Sequence, residues 1–200
     1  SATLMTRAKV DLAFKVGGYV EDILKLPGPD GKVRDVQKGD RVEKGAVLAQ
    51  VRDTDYKVKL DQASSAWEEA KASMSQARRE FERTEKLLEA NATSQNEFDK
   101  AKEKLDVSKA RVNRAESQVE EAKIQLQDTV LKAPMIAFVV SRLVERGTFV
   151  APGTRAYVLQ DLSSVKAVFG VPDYVLKQIK PGDSLAIAVE ALHDKKFHGI

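Results

Sequence analysis

From Asp55 to Asp128 the chain runs 74 residues without a proline or a glycine. Nothing in that stretch breaks a helix. At helical spacing it yields two apolar seams. The first is Leu60, Ala63, Trp67, Ala70, Met74, Ala77, Phe81, Thr84 and Leu88. The second is Phe98, Ala101, Leu105, Ser108, Val112, Ala115, Val119, Ala122 and Leu126. Both step by three and four over four heptads, the narrow seam of a two-stranded coiled coil rather than the wider stripe of a helix on a globular core. The weak point between them is Asn91-Ala92-Thr93-Ser94, with Ser94 and Glu97 spaced as a capping box. The reading is a helix, a tight turn and a second helix folded back antiparallel. Folding about Thr93 faces large residues with large, including Trp67 with Val119, Phe81 with Leu105 and Leu88 with Phe98. Each helix is then about 50 Å long at ~1.5 Å per residue. A plain coiled-coil spacer would satisfy this stretch by itself, so the flanks have to decide.

The flanks repeat each other. Val36-Gln37-Lys38-Gly39-Asp40-Arg41-Val42-Glu43-Lys44-Gly45 has the same V-x-x-G-x-x-V-x-x-G frame as Val144 to Gly153, at an offset of 108. Each copy leads into a short apolar strand, Val47 to Val51 and Ala156 to Leu159. Each is preceded by another, Gly18-Tyr19-Val20 and Ala137-Phe138-Val139. The first copy carries eleven extra residues around Pro27-Gly28-Pro29-Asp30-Gly31, a turn signal. Glycines at fixed phase suit turns of positive φ, and the valines suit the inward face of a small sheet. This predicts one β domain of two quasi-equivalent halves, split by the helical hairpin. Val10, Leu12 and Phe14 alternate as a strand leading into it.

After Leu162 a third texture begins. Val165 to Val171 alternates as a strand, Tyr174 to Ile179 suits a short helix, and Leu185, Ile187 and Val189 alternate again. Phe197 to Ile200 opens another strand. Three strands do not close a sheet, so this reads as the first part of a β-barrel cut short. Ser1-Ala2 reads as a cloning scar or a cut point.

Composition excludes several classes. The 33 basic and 30 acidic residues leave a net charge of only +3. Within the hairpin the signs interleave, without the basic stripe and aromatics of a nucleic-acid binder. There are no cysteines, hence no disulfides, thiol catalysis or cysteine zinc sites. No run approaches the ~18 apolar residues of a membrane span. His193 and His198, either side of Asp194, are weak metal candidates and read as surface residues. Met5, Met74 and Met135 are scattered. No catalytic, cofactor-binding or metal-ligating residue is assigned.

Phe14 to Val51, with Gly17-Gly18 and Lys38 to Gly45, resembles the first lipoyl half-motif of the periplasmic adaptor proteins, the membrane fusion or HlyD-like family of tripartite efflux and type I secretion systems. Leu131-Lys132-Ala133-Pro134 with Val144 to Gly153 resembles the second half-motif, and Val165 to Gly199 the opening of the family's β-barrel. The implied fold is α+β: a long antiparallel coiled-coil hairpin (residues 55–128) inserted in a split lipoyl, biotinyl-like β-sandwich (14–54 and 129–162). A leading strand (1–13) precedes it and part of a β-barrel (163–200) follows. The resemblance departs from the family at Met135-Ile136-Ala137, where Asp-Gly usually follows a bulky residue; this stiffens or shifts the turn and leaves Ile136 exposed.

The hairpin turn carries a sharper resemblance. Adaptors that dock on TolC-type outer-membrane channels show R-x-x-x-L-x-x-x-x-x-x-S there, and this chain has Arg83, Leu87 and Ser94. Taken singly, Arg83 is a solvated helix charge and Ser94 an N-cap; in register at the turn they imply docking. The resemblance further implies an inner-membrane partner, either a resistance-nodulation-division (RND) or an ATP-driven (ABC) transporter. It also implies self-association to a hexamer, a periplasmic location with an inner-membrane anchor, and no enzymatic activity. The competing class is a lipoyl or biotinyl carrier domain of an enzyme complex. Such a carrier places a modifiable lysine at the junction of the two halves, where this chain has the helical hairpin and no Asp-Lys-Ala or Met-Lys-Met.

Overall fold

The structure is a computed structural model that describes residues 2–28, 31–170, 180, 182, 185–189 and 195–199. Its elements follow in order: β1 (Ala2–Ala13), β2 (Gly18–Ile23), β3 (Lys25–Pro27), β4 (Val33–Asp35), β5 (Arg41–Val42) and β6 (Val47–Val51). Then come α1 (Thr54–Glu89) and α2 (Gln95–Gln127). The chain ends with β7 (Val130–Lys132), β8 (Ala137–Arg142), β9 (Phe149–Val150), β10 (Arg155–Phe169), β11 (Leu185–Val189) and β12 (Lys195–Gly199). Ala8–Leu162 form one compact unit; the described residues before and after them form a second.

The first unit is a β-sandwich with the helical hairpin inserted. Its two four-stranded sheets have the orders β1-β10-β8-β5 and β7-β6-β2-β9. Alternation sends Val20, Ile23, Val42, Leu48, Val51, Val139, Val150 and Leu159 inward, each at most 3 % exposed. The two valine–glycine frames do equivalent work. Gly39 N–H donates to Val139 O and Gly147 N–H to Val20 O, both at 2.8 Å. In return Val139 N–H donates to Asp40 O and Val20 N–H to Thr148 O, both at 2.9 Å. The strand pairs match as well: Val42 with Ala137, and Val150 with Gly18. Each frame thus bonds the strand of the opposite half, so the halves interlock about a pseudo-twofold. Gly39 and Gly147, at φ 93° and 78°, need the freedom of glycine.

The eleven-residue insert breaks this symmetry. It forms the β3–β4 hairpin, clipped to the body at two points. Arg34 places both guanidinium arms on the Asp40 carboxylate at 2.7 Å, and this hydrogen bonding holds the Asp40 pKa below the ordinary value. Arg146 reaches Asp22 at 3.1 Å and Asp35 at 3.0 Å.

Tyr157 is wholly buried, and its hydroxyl donates to Leu48 O at 3.0 Å. Burial pushes its pKa up to about 12 from 10. The fold therefore favours the protonated phenol. That stability is complete below pH 10 and is lost as pH rises from 10 toward about 12. A shift of this size corresponds to roughly 3 kcal/mol. Alkaline denaturation followed by tyrosine absorbance is expected to show one tyrosine ionising together with unfolding, a step that Tyr157→Phe removes.

The helices stand side by side on the sandwich. Val51 N–H donates to Thr129 O at 3.0 Å, so the chain leaves and returns at one point. Tyr56 props α1 on the sandwich, its hydroxyl donating to Gly17 O at 2.6 Å. Lys15 ties down α2 through Asp128 at 2.9 Å. Every residue of both predicted seams is buried or half-buried. Between them Phe81 also meets the Phe98 ring, with centroids 5.3 Å apart. Among the described residues no helix is long and apolar enough to cross a membrane.

In the second unit β11 and β12 pair antiparallel, from Leu185 opposite Gly199 to Val189 opposite Lys195. The short helix expected at 174–179 lies outside the described residues, as do His193 and Asp194.

Candidate functional site at the hairpin tip

The tip is set by how α1 ends. Asn91 takes φ 55°, the left-handed region, just past the C-cap Ala90. Ala92 N–H donates to Leu87 O at 2.7 Å and Asn91 N–H to Leu88 O at 2.9 Å. These are the two bonds of a Schellman motif, with Asn91 in the position usually held by glycine. Two residues later Ser94 turns extended, and its Oγ accepts from Glu97 N–H at 3.3 Å, starting α2. The Glu97 carboxylate is taken by Lys100 at 3.0 Å. The turn is therefore short, with backbone bonds closing α1 and a side-chain cap opening α2.

This turn places the three predicted residues at one end of the hairpin. Arg83 is exposed and pairs with no acid among the described residues. Leu87, one turn on, is 42 % exposed, while Thr84 and Leu88 beside it enter the seam. Residues four apart share a helix face, so a free guanidinium and an apolar side chain lie next to each other. Ser94 is exposed at the apex with its hydroxyl oxygen already capping α2. The arrangement offers a planar donor fork, an apolar anchor and a polar rim. It suits contact with a protein surface. The sequence reading treated Asn91 only as part of a weak point; the signal available was that asparagine tolerates φ > 0 better than other non-glycine residues.

Replacing Asn91 by alanine is expected to cost ~1–2 kcal/mol, the penalty of the left-handed region, whereas Asn91→Gly keeps or raises stability. Thermal melts of the helical dichroism signal decide between these outcomes.

Ile136 is 48 % exposed in the turn before β8. No group of three or more His, Asp or Glu among the described residues is placed to hold a metal ion. The junction between the two sandwich halves, where a carrier lysine would stand, is filled by α1 and α2.

Residues 59–129 match the family described as the RND MFP alpha-helical hairpin domain. The multidrug resistance protein MdtA of Klebsiella pneumoniae is 29% identical over 157 residues, which cover 76% of this chain and 38% of MdtA. Over its hairpin the chain thus matches the membrane fusion proteins, and beyond it the chain is similar to MdtA. The chain spans well under half the length of the curated relatives it matches. A putative efflux transporter from Bacteroides eggerthii is similar in structure, with TM-score 0.61 and 27% identity over 92% of this chain and 51% of that one. The membrane fusion protein Spr0693 of Streptococcus pneumoniae shares the fold, with TM-score 0.70 and 17% identity over 99% of this chain and 78% of that one. The hairpin-in-sandwich architecture is thus shared with these structures.

Proposed function

We propose that this chain is the periplasmic part of an adaptor that links an inner-membrane transporter to a TolC-type outer-membrane channel, for export of drugs or other small molecules. In that reading residues 14–54 and 129–162 are the lipoyl-like domain, 55–128 the reaching hairpin and 163–200 the start of the β-barrel. The observation that carries it is the tip: Arg83 unpaired, Leu87 exposed off the seam, and both next to a turn locked by backbone bonds. The mechanism is mechanical. The sandwich holds the hairpin base through Tyr56 and Asp128, and the hairpin carries the patch about 50 Å away at ~1.5 Å per residue. One patch is a weak contact; a hexameric ring of copies makes it a strong one. The matched hairpin description names RND, which favours a proton-driven transporter over an ATP-driven one. Expression of the full-length protein with its transporter, in cells lacking their own adaptor, is expected to restore export of a dye substrate. Continued dye retention refutes the adaptor role.

A further inference from the structure

Near the tip each helix balances its charges, but the outermost line of α1 is basic and that of α2 is acidic. With the seam as heptad positions a and d, position f points farthest from the partner helix. Near the end of α1, position f holds Arg79 and Lys86, both exposed. Neither pairs with an acid among the described residues; Arg79 reaches only Ser75 Oγ at 3.0 Å. Two acids flank that line at position b: Glu82, held by Arg78 at 2.9 Å, and Glu89 at the helix end. Near the start of α2, f holds Glu103 and Ala110, with Asp99 and Asp106 at b and Val107 at c. Glu103 and Asp99 carry no ion pair among the described residues, and Asp106 has Lys109 at 3.3 Å. These α2 residues, with Lys102 as the one cation among them, line a shallow recess whose floor includes Val107, 47 % exposed.

The two edges face away from each other, so they cannot meet within one molecule. They do lie at the same height, because Phe81 touches Phe98 across the seam. Rotation about an axis along the hairpin preserves height. It carries the basic edge of one copy onto the acidic edge of the next. Like edges repel, so the contact is head-to-tail, the kind that closes a ring. We infer that the Arg79–Lys86 edge of α1 docks on the Asp99–Glu103–Asp106 edge of α2 in a neighbouring copy, around Val107. This rests on the adaptor reading only in taking a ring of copies as the working form. Charge of this kind selects the partner and its register.

Charge reversal tests it. One full-length variant carries Arg79→Glu and Lys86→Glu; another carries Asp99→Lys and Glu103→Lys. By sedimentation at low salt, each variant is expected to self-associate at least tenfold more weakly than the parent, with unchanged helix signal. An equimolar mixture recovers the parent's association, since every contact in an alternating ring then joins opposite charges. Unchanged association of the separate variants, or no recovery on mixing, overturns the contact. The chain has no cysteine, so Lys86→Cys with Asp99→Cys gives a second readout in cells. Oxidation yields cross-linked multimers if the edges meet, and monomers only if they do not. A parent that exports without showing this contact loses the edge pairing and keeps the adaptor role. A parent that shows the contact without exporting keeps the pairing and loses the role.

Discussion

Arg83→Asp and Leu87→Asp are each expected to reduce export to the level of cells with no adaptor, while the helix signal stays intact. Both side chains stand off the seam, so neither substitution opens the coiled coil. Arg83→Asp replaces a donor fork by an acceptor and reverses the charge that a partner carbonyl or carboxylate would meet. Leu87→Asp removes an apolar anchor whose burial on docking contributes about 1.5–3 kcal/mol per copy. The loss multiplies around a ring, because multivalent attachment depends on the product of its weak contacts. An acid at Leu87 also sits near the negative end of α1, a cost of ~0.3–1 kcal/mol, so Leu87→Gln serves as the uncharged control. Export assays and circular dichroism are run on the same variants. Normal export with both acidic substitutions refutes docking through this patch; collapse of the helix signal assigns the two residues to the hairpin's stability instead.

Phe81→Ala is expected to destabilise the hairpin by roughly 3 kcal/mol. The phenyl ring is half-buried and lies 5.3 Å from the Phe98 ring, so the substitution loses both burial and an aromatic pair. The narrow seam leaves one edge of the ring wet, which keeps the cost at the lower end for an aromatic deletion. The effect concentrates near the tip, because the base is held separately by Tyr56 and by the Lys15–Asp128 pair. A dichroism melt of the variant should show helix loss at a lower temperature than the parent. An unchanged melt means that Phe81 is not a seam residue.

The hairpin was legible because its period is its structure. A 3–4 step sustained over four heptads leaves no other face to bury, and each seam residue is at least half-buried. The split sandwich was legible for a different reason. Its two frames had to place glycine where φ is positive and valine where the sheet faces inward, so the equivalence of Gly39 with Gly147 could be read from spacing. What could not be read are contacts decided by reach and rotamer. Phe81 meets the Phe98 ring, a contact that the layer-by-layer pairing of the two seams did not name. Tyr157 finds Leu48 O, and Arg146 finds Asp22 and Asp35, across more than a hundred residues of chain. The β3–β4 pair was hidden inside a turn signal, since two three-residue strands carry no period of their own. At the tip, the off-seam placement of Leu87 followed from the heptad. The left-handed Asn91 did not, because a single residue's φ leaves no pattern.

The hydrogen bond from Val51 to Thr129 closes the sandwich at the very point where the hairpin leaves it. The β-domain is therefore indifferent to how long its excursion is. Removing or adding one heptad in α1 together with the facing heptad in α2 preserves the seam, the base and the turn, and shifts the tip by about 10 Å at ~1.5 Å per residue. Unequal changes would slide the Phe81–Phe98 pair out of register. Reach thus comes in discrete steps, like notches on a ruler. The gap that such a chain bridges can be measured by asking which notch still works.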